Sequence, residues 1–278
     1  MDITTIHPGR GFEGHHHPAA ALWDAGGAAY DRVSFCISDA LAHAAQRLDP
    51  GPGEAILDIA TGTGWSARNV ARAGAKVTAV DIAPSLLDAA EALSAGMRPP
   101  IRYEQAAAED LPFADAAFDG VISTFGVMFA ADARKAATEM ARVVRPGGRM
   151  ALSVWVPDGA VARFFAMIAA HDDGPDHGPT PPANPLDWGD PAKATALLGD
   201  AFELAFEPGT SRAYHPSLQQ IWEWYAAGFG PVRHLMERLD AAGLARLRAD
   251  FDAYHRPYLT PHGLTVARDY LVIIGRRR

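Results

Sequence analysis

The residues best suited to chemistry are gathered in Asp58-Ile59-Ala60-Thr61-Gly62-Thr63-Gly64, and a second carboxylate, Asp81, stands 17 residues beyond Gly64. Glycines let a backbone approach a ligand closely, and a helix that follows them turns free N–H groups toward it. A carboxylate at the end of the next strand accepts both hydroxyl hydrogens of a ribose. Together these residues read as an adenosine site, against the plainer reading of a tight turn with a surface Asp. Two kinds of adenosine ligand come into question. Gly62-x-Gly64-x-x-Ala67 satisfies the dinucleotide fingerprint G-x-G-x-x-G/A, which would make the chain an NAD(P)-dependent oxidoreductase. Against that, Asp58 sits four residues before Gly62, where a fixed negative charge suits a cation or ammonium better than a pyrophosphate. No Tyr-x-x-x-Lys pair is present for hydride and proton chemistry.

Other reactive side chains are less organised. His15-His16-His17 invites a metal, but adjacent imidazoles rarely converge on one ion, and no metal site is expected. His171 precedes and His177 lies within an acidic, Pro-rich stretch at 172–191 that reads as a loop or lid. His215, His234, His255 and His262 follow it, and none is singled out as a general base, so the catalytic residues stay unassigned. Trp222-Glu223-Trp224-Tyr225 is either the wall of an apolar pocket or ordinary core at helical spacing.

Strands and helices must place these residues. Short apolar runs at 55–60, 76–80, 101–104, 118–123 and 149–155 alternate with helix-period segments at 30–48, 66–73, 84–95 and 133–143. That alternation predicts a doubly wound α/β fold, a mostly parallel sheet covered on both faces. It sets Asp58 inside the first strand, Gly62 and Gly64 in the turn after it, and Asp81 at the end of the second. The rhythm breaks after Trp155. Helical patterning returns at 218–227 and 232–254, and a final strand at 270–275 rejoins the sheet, followed by a solvated, fraying Arg276-Arg277-Arg278. Four segments follow: 1–49, an N-terminal segment and helix over the site; 50–156, the core; 157–268, a lid loop and helical cap inserted before the last strand; and 269–278, that strand.

Composition narrows the function. The chain has 278 residues, 49% hydrophobic and 21% charged, enough to fill a core. Its net charge of −8 and lack of a basic run argue against nucleic acid as a partner. One cysteine, Cys36, forbids an internal disulfide and a multi-cysteine zinc site. No apolar run reaches the ~18 residues of a membrane span. The N-terminus shows no targeting pattern, so a cytoplasmic protein is expected.

Residues 56–64 resemble motif I of the class I S-adenosylmethionine-dependent methyltransferases, and four further segments keep that family's order and spacing. They are Val80-Asp81-Ile82-Ala83-Pro84-Ser85, Ala108-Glu109-Asp110-Leu111-Pro112-Phe113, Phe118-Asp119-Gly120-Val121-Ile122-Ser123 and Arg142-Val143-Val144-Arg145-Pro146-Gly147-Gly148-Arg149. The resemblance covers about residues 50–156 and is closest to the small-molecule branch that includes quinone-biosynthesis enzymes. It implies a Rossmann-like fold and methyl transfer from S-adenosylmethionine, giving S-adenosylhomocysteine, to the O, N or C of a small organic acceptor. The alternatives are the oxidoreductase and a protein that binds the cofactor without transferring its methyl.

The resemblance also implies roles. Ala60, Thr61, Gly62, Thr63 and Gly64 would form the loop under the methionine part, organised by Asp58. Asp81 would hold the ribose, Ile82 would pack on adenine, and Ala108 with Glu109 would meet its edge. Phe125 would lie near the sulfonium, with Met128 and Phe129 toward the acceptor. Tyr30 would fold over the cofactor or else pack a helix end; Trp23 is a lesser candidate for the same place. Ala107 departs from the family, which often has Asp there to receive the adenine amino group. The sequence has no Asn-Pro-Pro-Tyr after the fourth strand and no Pro-Cys pair, which argues against the DNA-methylating branches.

Overall fold

A computed structural model describes residues 17–172 and 184–278, so His15, His16 and His177 and most of the expected lid loop lie outside the described residues. Strands β1 (Ala55–Ile59), β2 (Lys76–Asp81), β3 (Arg102–Gln105), β4 (Phe118–Thr124) and β5 (Val144–Trp155) pair in parallel in the order β3-β2-β1-β4-β5. Ile56, Leu57 and Ile59 are fully buried, as a central strand covered on both faces requires. Burying each is worth ~1.5–3 kcal/mol. The connections are α4 (Trp65–Arg72), α5 (Pro84–Leu93) and α6 (Ala133–Val143). On the N-terminal side come α1 (His17–Asp24), α2 (Tyr30–Phe35) and α3 (Ser38–Leu48). The segment 30–48 is therefore two helices, because the chain leaves helical geometry at Ile37, where φ is −131°.

The second half corrects the picture of a purely helical insertion. It holds α7 (Ala160–Ala169), α8 (Pro191–Leu198), α9 (Leu218–Gly228), α10 (Gly230–Arg238) and α11 (Ala241–His255), but also a 14-residue strand, β6 (Phe202–His215). The segment 232–254 breaks at Asp240, whose side chain accepts from the Gly243 amide and starts α11 afresh. After the two-residue β7 (Leu259–Thr260), strand β8 (Gly263–Arg277) runs antiparallel between β5 and β6 and begins well before residue 270. The edge position of β6 explains why it tolerates Pro208. Gly209 faces Tyr270 across the ladder, and a Cβ there would lie 2.3 Å from that ring. Arg276 and Arg277 are strand residues rather than a frayed end. The Arg277 guanidinium donates to the carbonyls of Ala141 and Ala201, and the Arg278 amide also donates to Ala201.

One long strand joins two cores. The C-terminal half of β8, Tyr270 to Ile273, packs in the sheet core with Leu152 and Val154. Leu264 and Val266, at its start, pack in a separate aromatic core with Phe164, Tyr225, Phe229 and Phe251. The cap is thereby fixed above the C-terminal ends of the parallel strands. No helix among the described residues is long and apolar enough to cross a membrane.

Candidate active site

Strand β1 has β2 on one side and β4 on the other, so the chain reverses its winding between β1 and β4, the place where open α/β sheets bind ligands. The backbone there is shaped closely. Ala60 and Phe125, just past β1 and β4, hold left-handed conformations with φ of +54° and +57°, sparsely populated for side chains with a Cβ. Gly126 lets the two strand ends meet: a Cβ on it would come within 2.4 Å of the Ala60 Cβ. Gly64 (φ +82°) turns the chain into α4, with Tyr103 Oη only 2.8 Å from where a Cβ would be.

Side chains hold this loop from below. Asp58 is wholly buried; one carboxylate oxygen accepts from Thr61 Oγ1 (2.6 Å) and Ser66 Oγ (2.7 Å). The other, Oδ1, has no hydrogen-bond partner of normal geometry among the described residues. Burial pushes Asp58 up to about 7, against the opposing pull of Ser66 and Thr61. Asp81 accepts the Gly62 amide at 2.8 Å and the Ala83 amide at 3.0 Å, so it ties the end of β2 to the glycine loop. Burial raises its pKa as well, with those amides pulling the other way. Thr63 turns away and donates to Asp31, which also pairs with Arg68.

The expected residues are largely brought together. Tyr30, Ala60, Thr61, Gly62, Asp81, Ile82, Ala108, Glu109 and Phe125 line one partly open cavity. Asp58, Thr63 and Gly64 do not; they shape the loop from behind. Trp23 and Trp65 complete the wall. The buried Trp65 indole N–H has no partner among the described residues. Tyr30 covers the loop, with Cε1 3.3 Å from where a Gly62 Cβ would lie, and burial raises its phenol far above the usual value. Helix α1 is held in place by Asp24, which accepts from the Ser85 amide at 2.7 Å and, through its carbonyl, from the Ser85 hydroxyl.

A second, partly open cavity adjoins the first, sharing Trp23, Tyr30, Ile37, Phe125 and Phe129. Aromatic rings supply most of its wall. Phe125 stacks on Trp155 with centroids 3.8 Å apart and planes inclined by 17°. Phe164, Phe165, Tyr225, Phe229 and Tyr254 close the cap side. Phe129 therefore faces this space as expected, whereas Met128 is buried in the sheet core. Of the aromatic cluster on α9, Tyr225 lines the cavity; Trp222 packs edge-on to Phe251 and Trp224 against His215.

His255 is the one histidine on this wall. Its Nδ1 lies 2.8 Å from the Phe251 carbonyl, which can only accept, so Nε2 carries the free lone pair of the neutral ring. Burial pulls its pKa down to about 4. His171 pairs with Asp250 and His234 with Arg238, away from the site. No cluster among the described residues gathers three or more His, Cys, Asp or Glu for a metal. Trp155 and Arg268 carried no sequence signal, and His255 was one of four histidines that spacing could not tell apart, since each reaches the cavity only through the pairing of β5 with β8 and the packing of α11.

Residues 57–152 match the sequence profile of a family described as a methyltransferase domain. An uncharacterized protein of Mycobacterium tuberculosis is 41% identical over 150 residues, covering 54% of this chain and 54% of that protein. The demethylmenaquinone methyltransferase of Clavibacter sepedonicus is 37% identical over 138 residues, covering 48% of this chain and 56% of that enzyme. The matched stretch thus spans about half the length of these curated relatives. The YcgJ protein of Bacillus subtilis shares the fold, with a TM-score of 0.61 at 18% identity over 86% of this chain and 98% of its own. Sheet order, glycine loop and sequence profile agree: residues 57–152 form a methyltransferase domain on the fold that YcgJ shares.

Proposed function

We propose that the whole chain is an S-adenosylmethionine-dependent methyltransferase acting on a small, largely apolar acceptor. The observation that carries this reading is the pair of adjoining cavities at the β1/β4 reversal, one framed by the glycine loop and Asp81, the other by aromatic rings.

The residues fit the cofactor. Asp58, buried behind the Gly62 loop, sets a carboxylate beneath the wall that would favour an ammonium group across the loop, and the Trp65 N–H offers a donor to a carboxylate. Asp81 would take the ribose hydroxyls, Ile82 and Leu86 would pack on the adenine, and Ala108 with Glu109 would border its edge. The side chain at Ala107 is absent from this wall, so the adenine amino group would meet main chain or Glu109. When bound, S-adenosylmethionine supplies an electrophilic methyl group whose bonding electrons stay on the departing sulfur.

The chain's own part is proximity and dryness. Tyr30 and Trp23 close the junction from above, and the Phe125–Trp155 stack forms a rigid floor that limits how an acceptor can lie. His255, neutral at physiological pH, offers the acceptor cavity a hydrogen-bond acceptor on the cap side. A cytoplasmic location and a role apart from nucleic acid belong to the same proposal, supported by the net charge of −8 and the single, buried cysteine.

The test is methyl transfer from S-adenosylmethionine to a panel of small aromatic phenols, amines and carbon acids, followed by mass spectrometry. Methylated product from the wild type, lost in Asp81→Ala, supports the reading. Cofactor binding with no product across the panel supports a binding protein that transfers no methyl.

A further inference from the structure

The aromatic cavity contains one charge. Arg268 lies on β8, is 6% exposed, and lines the cavity among Tyr225, Tyr254 and His255. Its guanidinium donates from Nη2 to Tyr225 Oη at 3.0 Å. Among the described residues no carboxylate lies within ion-pair distance of it, and it sits over no aromatic ring. Ser211, opposite on β6, gives its own hydroxyl to Asp39 rather than taking part. The titratable groups that feel its charge, Cys36, His215, Tyr225, Tyr254 and His255, are neutral at physiological pH, and the exposed Asp39, held by Ser211, stays beyond ion-pair distance.

A buried guanidinium with five donors and one acceptor is an expensive arrangement. Replacing such a charge by an uncharged group is often neutral or stabilising, so its presence in a cavity wall points to an opposite charge that arrives from outside. Its planar fork matches a carboxylate through two parallel hydrogen bonds. Position adds direction. Trp23, Tyr30, Ile37, Phe125 and Phe129 border both cavities, whereas Arg268, Tyr254 and His255 border only the second.

We propose that the acceptor is an aromatic-sized apolar molecule bearing a carboxylate, which Arg268 holds at the end of the cavity remote from the cofactor. The carboxylate is an anchor and is not itself methylated; the reacting atom lies at the other end, by Tyr30 and Phe125. Arg268 is then the residue that sets acceptor specificity. This inference rests on the methyltransferase reading above.

The experiment compares matched probes on the full chain saturated with S-adenosylhomocysteine: benzoate, cinnamate and naphthoate against benzamide, cinnamamide and naphthamide. Wild-type protein should bind the carboxylates about tenfold or more tighter than the amides, the scale of hydrogen bonds to a charged group. Arg268→Gln should reduce that preference to within about twofold, and Arg268→Lys should keep part of it. S-adenosylhomocysteine affinity should be the same in all three proteins. Melting of ligand-free Arg268→Gln should occur at or above the wild-type temperature, whereas a guanidinium with a purely structural role would lower it. No carboxylate binding, no preference over the amides, or an unchanged preference in Arg268→Gln would overturn the proposal. The series is also run on ligand-free protein. A wild type that ignores S-adenosylhomocysteine therefore defeats the methyltransferase reading, while the carboxylate preference of the ligand-free protein tests the anchor separately.

Discussion

Asp58 and Asp81 are both buried carboxylates, yet they divide the work by what surrounds them. Asp81 spends its oxygens on the Gly62 and Ala83 amides and also faces the cavity, so it shapes the loop and remains available to a ribose. Asp81→Ala should weaken S-adenosylhomocysteine binding by ~1–3 kcal/mol, roughly fivefold to 150-fold, in a calorimetric titration; wild-type affinity would remove Asp81 from the site. Asp58 titrates near neutrality because burial holds it at about 7. A carboxylate raised in the folded state contributes stability that is present in acid and lost as pH rises through the folded value. A cationic ligand group reverses the preference by favouring the ionised form. Affinity for S-adenosylhomocysteine should therefore climb between about pH 6 and pH 8, and Asp58→Asn should flatten that climb. An equally steep profile in the variant would show that Asp58 is not the titrating group.

At the scale of elements, the site depends on two strand ends meeting. Ala60 and Phe125 both take left-handed backbone conformations, and Gly126 alone leaves room between them. Gly126→Ala should lower the melting temperature and reduce cofactor binding together, because the added methyl collides with Ala60 in a place that cannot yield. Gly147→Ala, at φ +73° with open space around it, is the control: its cost should be about 1 kcal/mol of stability, with affinity unchanged. A Gly126→Ala protein that binds normally would contradict the argument. The core strands were legible because β1 and β2 are short, apolar and buried on both faces. Strand β6 was not, because Pro208-Gly209 looks like a turn when the antiparallel partner that accommodates it is about 60 residues away. The helix breaks at Ile37 and Asp240 were also hidden, since apolar spacing continues across both.

Across the whole molecule, the cofactor side and the acceptor side differ in how far apart their residues lie in the chain. Asp58, Gly62 and Asp81 fall in one strand–loop–helix–strand unit, so their spacing alone suggested an adenosine site. The acceptor cavity draws on Trp23, Phe125, Tyr225 and Arg268, which meet only after β8 has paired with β5 and β6. The local pattern marked only Tyr225 and Phe129, and left the first undecided between pocket wall and core. The cap core around Phe164 and Phe251 makes the cavity a property of the assembled fold, and the start of β8 is shared between core and wall. The central claim, that the glycine loop and Asp81 serve S-adenosylmethionine, is tested most directly by calorimetric titration of the purified protein with S-adenosylhomocysteine and, in parallel, reduced nicotinamide dinucleotide. Saturable binding of S-adenosylhomocysteine alone is the predicted result. Binding of the dinucleotide alone, or of neither, would contradict it.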